Sequence, residues 1–273
     1  MAKSLFEKVV DRTIDTLTKE DLKGIKKIGD SAFYNCNYLK SIEIPSTVTT
    51  IGSNALSYSG ITSLHIPSNI ETIQSSAFSS CQSLTNVTLP NTVKNVGTSI
   101  FGGCWYITTA TIESGRTSVP TSIFQNCSAL VNINLSSDIV SIGGSAFYGC
   151  TSLTNLDFIP NSVTSIGEKS FSNCSGLKTI TIKNTVSHIG YEAFGYSTGS
   201  MNIANVYFMQ PNGMEVSLPP AGKTTSVLTY YGMFYVKTAR SMNVYTDNET
   251  IKNYDWASDN ITATLYHLDG TAW

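Results

Sequence analysis

One pattern constrains this chain more than any other. An Ile or Val recurs as Ile28, Ile51, Ile73, Val96, Val119, Ile142, Ile166 and Ile189, at intervals of 23, 22, 23, 23, 23, 24 and 23 residues. A large apolar residue follows each marker within the same copy, as Phe33, Leu56, Phe78, Phe101, Phe124, Phe147, Phe171 and Phe194. Beyond it the consensus runs Cys-x-x-Leu and then alternates, as in SIEIP (41–45), SLHIP (63–67), NVTLP (86–90), NINLS (132–136) and TITIK (179–183). Apolar residues on one phase of a period of two make a half-buried strand. A copy of about 23 residues cannot bury its own apolar face, so the copies must stack. Their strands then form a parallel ladder about 4.8 Å apart, with one face in the core and the other in solvent. The short interval lacks a residue around Gly60 and the long one gains a residue at Ile159, both in turns, where length changes are tolerated.

These residues resemble the BspA-like, or type 5, leucine-rich repeats, whose pattern is close to I-G-x-x-A-F-x-x-C-x-x-L-x-x-I-x-I-P. The resemblance covers roughly Leu22 to Met209. Pro120 and Gln74 stand where the pattern has glycine, and Leu56 where it has Phe. The expected fold is a right-handed, β-rich leucine-rich-repeat solenoid of about eight repeats of 22–24 residues, with a short helical N-terminal cap and an α+β C-terminal cap.

The expected divisions are an N-terminal cap or docking segment at 1–26, repeats at 27–209 and an irregular C-terminal repeat or cap at 210–273. Leu5, Val9, Val10, Ile14 and Leu17 fall on one side of a helix, and Thr18 with Asp21 reads as a capping box opening a second one. Past the Pro-rich stretch after Met209, strands are predicted at Met233–Lys237, Asn243–Tyr245 and Ile261–Leu268. Thr246 with Glu249 reads as a cap for a helix carrying Ile251, Tyr254 and Trp256.

Of the 273 residues only 13% are charged, and the formal net charge is −2. Nothing here attracts a phosphate backbone, so nucleic acid is not an expected partner. The surface is instead rich in Ser, Thr and Asn. The opening MAKSLFEKVVDRTIDTLTKEDL has no signal-peptide core, no run reaches the roughly 18 apolar residues of a span, and no membrane insertion is expected.

Cys36, Cys81, Cys104, Cys127, Cys150 and Cys174 share one repeat position, which Ser59 and Ser197 occupy in the other two copies. A residue type recurring at one slot is a packing rule. The expected state is a buried, reduced column, against the alternatives of disulfides, for which the parallel Cβ vectors are poorly aimed, and of a metal site, which needs ligands converging from several directions. His65, His188 and His267 are far apart in the repeat frame and build no nucleophilic triad. No phosphate-cradling glycine motif is present. No metal or cofactor is therefore expected.

Two acidic residues, Glu43 and Asp157, lie on the exposed strand phase, five copies apart. At 4.8 Å per copy that is about 24 Å, whereas glycosidase carboxylates sit about 5–9.5 Å apart. The same phase carries the best binding candidates: Glu43, His65, Thr88, Thr111, Asn132, Asn134, Asn155, Asp157, Thr181 and Tyr207, a concave polar stripe ending in an aromatic. A second candidate is the aromatic C-terminal part, with Tyr230, Tyr231, Phe234, Tyr235, Tyr254, Trp256, Tyr266 and Trp273.

The expected function is non-enzymatic recognition: attachment to a protein or carbohydrate on a host cell surface, which is what the resemblance implies. The opening segment running straight into repeats looks like the repeat proteins encoded among phage tail genes, which places the chain in a virion, with other virion proteins as partners of the N-terminal helix. A bacterial cell-surface adhesin and an inert structural spacer are the competing readings.

Overall fold

The computed structural model describes residues 14–195, 203–209, 215–216, 240–246, 261–266 and 272. The chain divides into two compact units, Met1–Arg116 with Pro120–Ser136, and Thr117–Val119 with Ser137–Trp273. Both are parallel β-solenoids, with about eight turns between them.

In the first unit Asn86–Leu89, Thr109–Ile112 and Asn132–Leu135 pair in parallel and in register. A second ladder joins the two-residue strands Lys27–Ile28, Thr50–Ile51, Thr72–Ile73 and Asn95–Val96. In the second unit the long strands are Thr179–Ile182, Asn205–Phe208, Arg240–Thr246 and Ile261–Tyr266. The short ones are Ser118–Val119, Ser141–Ile142, Ser165–Ile166, His188–Ile189 and Glu215–Val216. Along Asn86–Leu89 the burial alternates exposed and buried, as the period of two demands.

Between the two ladders each turn carries a third segment, which binds its neighbour by a different backbone pattern. From Ser31 to Cys36, alternate N–H groups close local turns, with Ala32 N to Gly29 O, Tyr34 N to Ser31 O and Cys36 N to Phe33 O at 3.1–3.3 Å. The others reach the next turn: Ser31 N to Ser53 O, Phe33 N to Ala55 O and Asn35 N to Ser57 O, at 2.7–2.8 Å. The second unit repeats this, with Lys169, Phe171 and Asn173 donating to Tyr191, Ala193 and Gly195 at 2.7–2.9 Å. Aiming alternate amides along the stacking direction requires two left-handed residues per turn. Ser31, Asn54, Ser76, Ser99, Ser122, Ser145, Lys169 and Glu192 fill the first position, with φ of 50–57°. Asn35, Tyr58, Ser80, Gly103, Asn126, Gly149 and Asn173 fill the second. For an L-residue that backbone costs roughly 1–2 kcal/mol, offset here by the inter-turn bonds it aims at the neighbouring carbonyls.

Inside each unit the recurring Phe rings stack. Phe78 and Phe101 lie 5.6 Å apart, Phe101 and Phe124 5.9 Å. Phe147, Phe171 and Phe194 follow at 5.3 and 5.7 Å, all near-parallel. Each such pair adds about 0.5–1.5 kcal/mol beyond its area. The cysteines are free and buried. Cys104 Sγ donates to Phe78 O at 3.1 Å, Cys127 to Phe101 O at 3.2 Å and Cys174 to Phe147 O at 3.1 Å. Ser59 takes the slot in its own turn, with its hydroxyl 3.3 Å from Cys81 Sγ. The slot therefore selects a small donor, and sulfur adds apolar bulk that a hydroxyl lacks. Burial pushes the thiols of Cys127 and Cys174 up to about 12, and raises that of Cys104 as well.

The helical N-terminal cap needs correction. Among the described residues there is no helix. Thr16–Leu17, expected on a helix face, is a strand paired with Ser41–Ile42, and Glu43 N bonds Leu17 O at 2.7 Å. Leu17 is buried because it continues the apolar column of the ladder. The capping box does form, with Thr18 N donating to Asp21 Oδ2 at 3.0 Å and Asp21 N to Thr18 Oγ1 at 3.3 Å. It closes a turn rather than opening a helix, because Gly24, at φ +80°, turns the chain immediately. Leu5, Val9 and Val10 lie outside the described residues. So do Met233–Lys237, Glu249, and the segment carrying Ile251, Tyr254 and Trp256. Asn243–Tyr245 falls within Arg240–Thr246, and the last strand is Ile261–Tyr266.

Two outcomes test the turn. Ser145→Val, which places a β-branched residue at φ 54°, is expected to destabilise by about 2 kcal/mol, and Ser145→Gly to stay within about 1 kcal/mol of the parent, in chemical denaturation. Unfolded thiols ionise near the reference value of 9.0, while Cys127 and Cys174 hold their protons to about 12. Above pH 9 the unfolded chain therefore binds fewer protons than the folded one, and stability should fall between pH 9 and 12. Replacing both cysteines with Ser should flatten that fall in urea melts taken at successive pH values. An unchanged slope would remove the thiols from the account.

Candidate functional site

The polar strand face is fixed by the ladder register, because each exposed residue stands beside its counterpart one turn on. In the first unit Thr88, Thr111 and Asn134 form one row, and Asn86, Thr109 and Asn132 a second. Thr88, Asn132 and Asn134 are exposed and Thr111 is half-buried. Asn134 Nδ2 donates to Thr111 Oγ1 at 3.1 Å, which ties two turns through side chains. Glu43, also exposed, accepts weakly from the Lys19 N–H at 3.4 Å. The ladder brings Thr88, Thr111, Asn132 and Asn134 onto one face, whereas Glu43 follows Ser41–Ile42, which pairs with Thr16–Leu17 in a separate two-stranded sheet.

His65 departs from that arrangement. The segment SLHIP was expected as a strand, yet its backbone makes no ladder with Asn86–Leu89. The turn before it is one residue short, and the segment keeps its burial phase, with His65 exposed and Ile66 buried, without forming the strand. Between them opens a recess of about 280 Å³, lined by Thr62, Leu64, Asn86 and Thr88 among others. His65 itself is exposed.

In the second unit Asn155 and Asp157 are exposed but lie on no strand. Asp157 N donates to Asn155 Oδ1 at 3.0 Å, a side-chain-closed turn. The residue that lengthens this copy leaves room for Phe158, whose ring packs 5.5 Å from Phe147 and 6.3 Å from Phe171. Burial still alternates along Asn155, Leu156, Asp157 and Phe158, so the two polar residues keep the outward phase while a turn replaces the expected strand. Thr181, by contrast, lies in register with Tyr207, Tyr245 and Tyr266.

That register joins the predicted Tyr207 to functional candidates the sequence reading missed, Tyr245 and the Asn205–Asn243 pair. Tyr207 and Tyr245 stack with ring centroids 4.4 Å apart and planes 11° from parallel. Beside them Asn243 Nδ2 donates to Asn205 Oδ1 at 3.0 Å. The signal was available, because Asn-Val-Tyr occurs twice, at 205–207 and 243–245. Of the aromatic C-terminal set, Tyr266 lies on the last strand. Tyr230, Tyr231, Phe234, Tyr235, Tyr254, Trp256 and Trp273 lie outside the described residues.

These rows of hydroxyls and amides donate and accept at once, with aromatic surface at hand. They suit a partner that is itself neutral and rich in hydrogen-bonding groups. Among the described residues no cluster of three or more His, Cys, Asp or Glu side chains could hold a metal ion. No described helix is long and apolar enough to cross a membrane.

A family model, the BspA type leucine rich repeat region, matches residues 14–131 and 100–213. Among solved structures, a leucine-rich repeat protein from Bacteroides ovatus is 29% identical, with a TM-score of 0.63, over 73% of this chain and 49% of that one. A leucine rich cell surface protein from Faecalibacterium prausnitzii is 26% identical, with a TM-score of 0.51, over 74% of this chain and 62% of that one. A leucine-rich repeat protein from Eubacterium ventriosum, at 14% identity and a TM-score of 0.50 over 98% of this chain and 77% of that one, shares the fold alone. The chain spans about half the length of the Bacteroides protein and less than two thirds of the Faecalibacterium one. No curated protein matches it significantly. With the Phe, Cys and alternating-strand positions of successive turns in place and the model matched from residue 14 to 213, the chain belongs to the BspA-type leucine-rich repeat family.

Proposed function

We propose that this chain is a non-catalytic recognition module that attaches to protein or glycan on a cell surface through its polar strand faces. The observation carrying this reading is the in-register rows of neutral hydrogen-bonding groups, Thr88, Thr111 and Asn134 in the first unit, and the Asn205–Asn243 and Tyr207–Tyr245 pairs in the second. Solenoids commonly bind along extended faces of this kind. Edge hydroxyls and stacked rings give contact area with little entropy to lose. The two expected carboxylates, Glu43 and Asp157, play no paired acid–base role in this reading.

A bacterial cell-surface setting is the better supported one, since the Faecalibacterium relative is described as a cell surface protein. The virion setting, with partners docking on the N-terminal segment, rests on the opening stretch that runs straight into the repeats, of which residues 1–13 lie outside the described set. Immunogold labelling of the producing cell separates them. Label on the envelope supports the adhesin, and label confined to phage particles replaces it with the tail protein.

Binding of the purified chain to cultured epithelial cells and to bacterial cells, read by flow cytometry, tests the faces. Asn132→Ala with Asn134→Ala is expected to leave the melting midpoint within a few degrees, because exposed substitutions cost within about 0.5 kcal/mol each. Separately, Tyr207→Ala with Tyr245→Ala, half-buried and stacked, is expected to lower stability by about 1–3 kcal/mol without unfolding the chain. At least one pair should lower binding tenfold or more. Undiminished binding by both would leave the strand faces inert and favour a spacer role.

A further inference from the structure

The turn around Gly60 differs from its neighbours in a way that builds a second site. In the flanking turns the cysteine and the following Leu are three residues apart, as in Cys36 to Leu39 and Cys81 to Leu84. Here Ser59 and Ile61 are two apart, so a corner that elsewhere carries two side chains carries only Gly60. A Cβ on Gly60 would lie 2.0 Å from Asn37 O, so the backbones close up and no side chain fills the corner. What remains is a recess of about 290 Å³, lined by Asn35, Asn37, Tyr58, Gly60, Gln82 and Ser83 among others.

Two further observations point to a ligand there. Tyr58 stands at a left-handed position, φ 59°, that the other turns fill with Asn, Ser or Gly. A bulky aromatic is an outlier in that backbone region, and such strain is retained mainly at functional positions. The residue is nonetheless 47% exposed, its ring edge-on to Tyr34 at 5.6 Å and 71°. The side-chain amides of Asn35, Asn37 and Gln82 make no hydrogen bond to any described residue. Three unspent amides and an aromatic ring thus border one recess. No carboxylate is among its lining residues, and the Lys40 ammonium lies nearby, its Nζ 3.5 Å from Asn37 O.

We infer that this recess binds a neutral saccharide, with the C–H face of one sugar ring against Tyr58 and its hydroxyls bonded to the amides of Asn35, Asn37 and Gln82. A sugar hydroxyl donates and accepts, as an amide does, and a neutral ligand needs no counter-charge. The volume lies near the lower end of ligand pockets, roughly 300 Å³, which admits one ring with the rest of an oligosaccharide outside. The site sits on the corner after the cysteine column, not on the strand face, and stands or falls apart from the attachment role proposed above.

Saturation-transfer NMR and calorimetry on the full chain, with lactose, maltotriose, cellotriose and chitotriose as neutral probes and trigalacturonate as an acidic one, test this. A neutral probe should bind saturably. Tyr58→Gly removes the ring while relieving the backbone, so the melting midpoint should rise as affinity drops at least tenfold. Asn37→Ala with Gln82→Ala should drop affinity at least tenfold too. Asn132→Ala with Asn134→Ala should leave it unchanged, whatever that pair does to cell binding. No saturable binding of any neutral probe, binding of trigalacturonate alone, undiminished binding by Tyr58→Gly or by the amide pair, or a loss in the Asn132 and Asn134 variant would each overturn the assignment.

Discussion

The structure depends on the hydrogen bonds that alternate amides of one turn make to carbonyls of the next. A solenoid turn of about 23 residues has only two short strands to join it to its neighbour, too few bonds for the roughly 1–2 kcal/mol of backbone entropy lost per residue. The Ser31–Cys36 segment and its equivalents supply the rest, with three further bonds per turn at 2.7–2.9 Å in the examples from each unit. The price is two left-handed residues in each turn. Once alternate amides point along the stack, the Phe between them must point inward, and its ring meets the next at a fixed spacing of 5.3–5.9 Å. The thiol of the cysteine that follows donates to the carbonyl of the Phe one turn back, as Cys104 does to Phe78. Backbone pattern, aromatic stack and thiol column are three consequences of one geometry.

Small length changes act on this geometry with opposite results. Removing a residue at Gly60 leaves the buried column intact, since Leu56 and Ile61 are both fully buried. The loss appears on the surface, as the unpaired SLHIP segment and as two recesses of about 280 and 290 Å³. Adding a residue near Ile159 instead brings more apolar bulk inward. Phe158 packs edge-on against the Phe147 ring, Ile159 is buried, and the strand that should have carried Asn155 and Asp157 becomes a turn. The core tolerates both because its contacts are set by the Phe and Ile columns, which the changes bypass.

What the sequence made legible follows from this division. Positions repeated for packing, the Phe, Cys and alternating Ile or Leu, announce themselves by period, and their register is as expected. The left-handed pairs were visible too, as recurring Ser, Asn and Gly before the Ala-Phe and before the Cys, but a polar residue recurring in a turn reads as solvent preference unless its backbone is known. The Thr18–Asp21 box misled because it satisfies exposed amides whether a helix or a turn follows. Ile14 and Leu17 carry a spacing of three that suits a helix face, while only pairing with Ser41–Ile42 reveals Leu17 as a strand residue. On the candidate face, Thr88, Thr111, Asn132, Asn134, Thr181 and Tyr207 fall where alternation puts them. Asn155 and Asp157 keep the outward phase too, but on a side-chain-closed turn instead of a strand, in the copy that the residue at Ile159 lengthens.

A repeat protein is a poor reader wherever its turns are alike, because identical rows offer identical contacts and bind the same group everywhere along the stack. Specificity therefore has to come from the turns that break the rule. In this chain the breaks are chemically directional: a missing corner beside a strained, exposed Tyr58, and an Asn-Val-Tyr segment that returns to build a stacked ring pair where the other rows carry Thr or Asn. Neither break spends a charge, in keeping with a chain only 13% charged. Affinity at such places must then come from ring faces and paired amides rather than from ion pairs, and should be weakly dependent on salt. The regular turns hold those places rigid, which lowers the entropy lost when a partner docks.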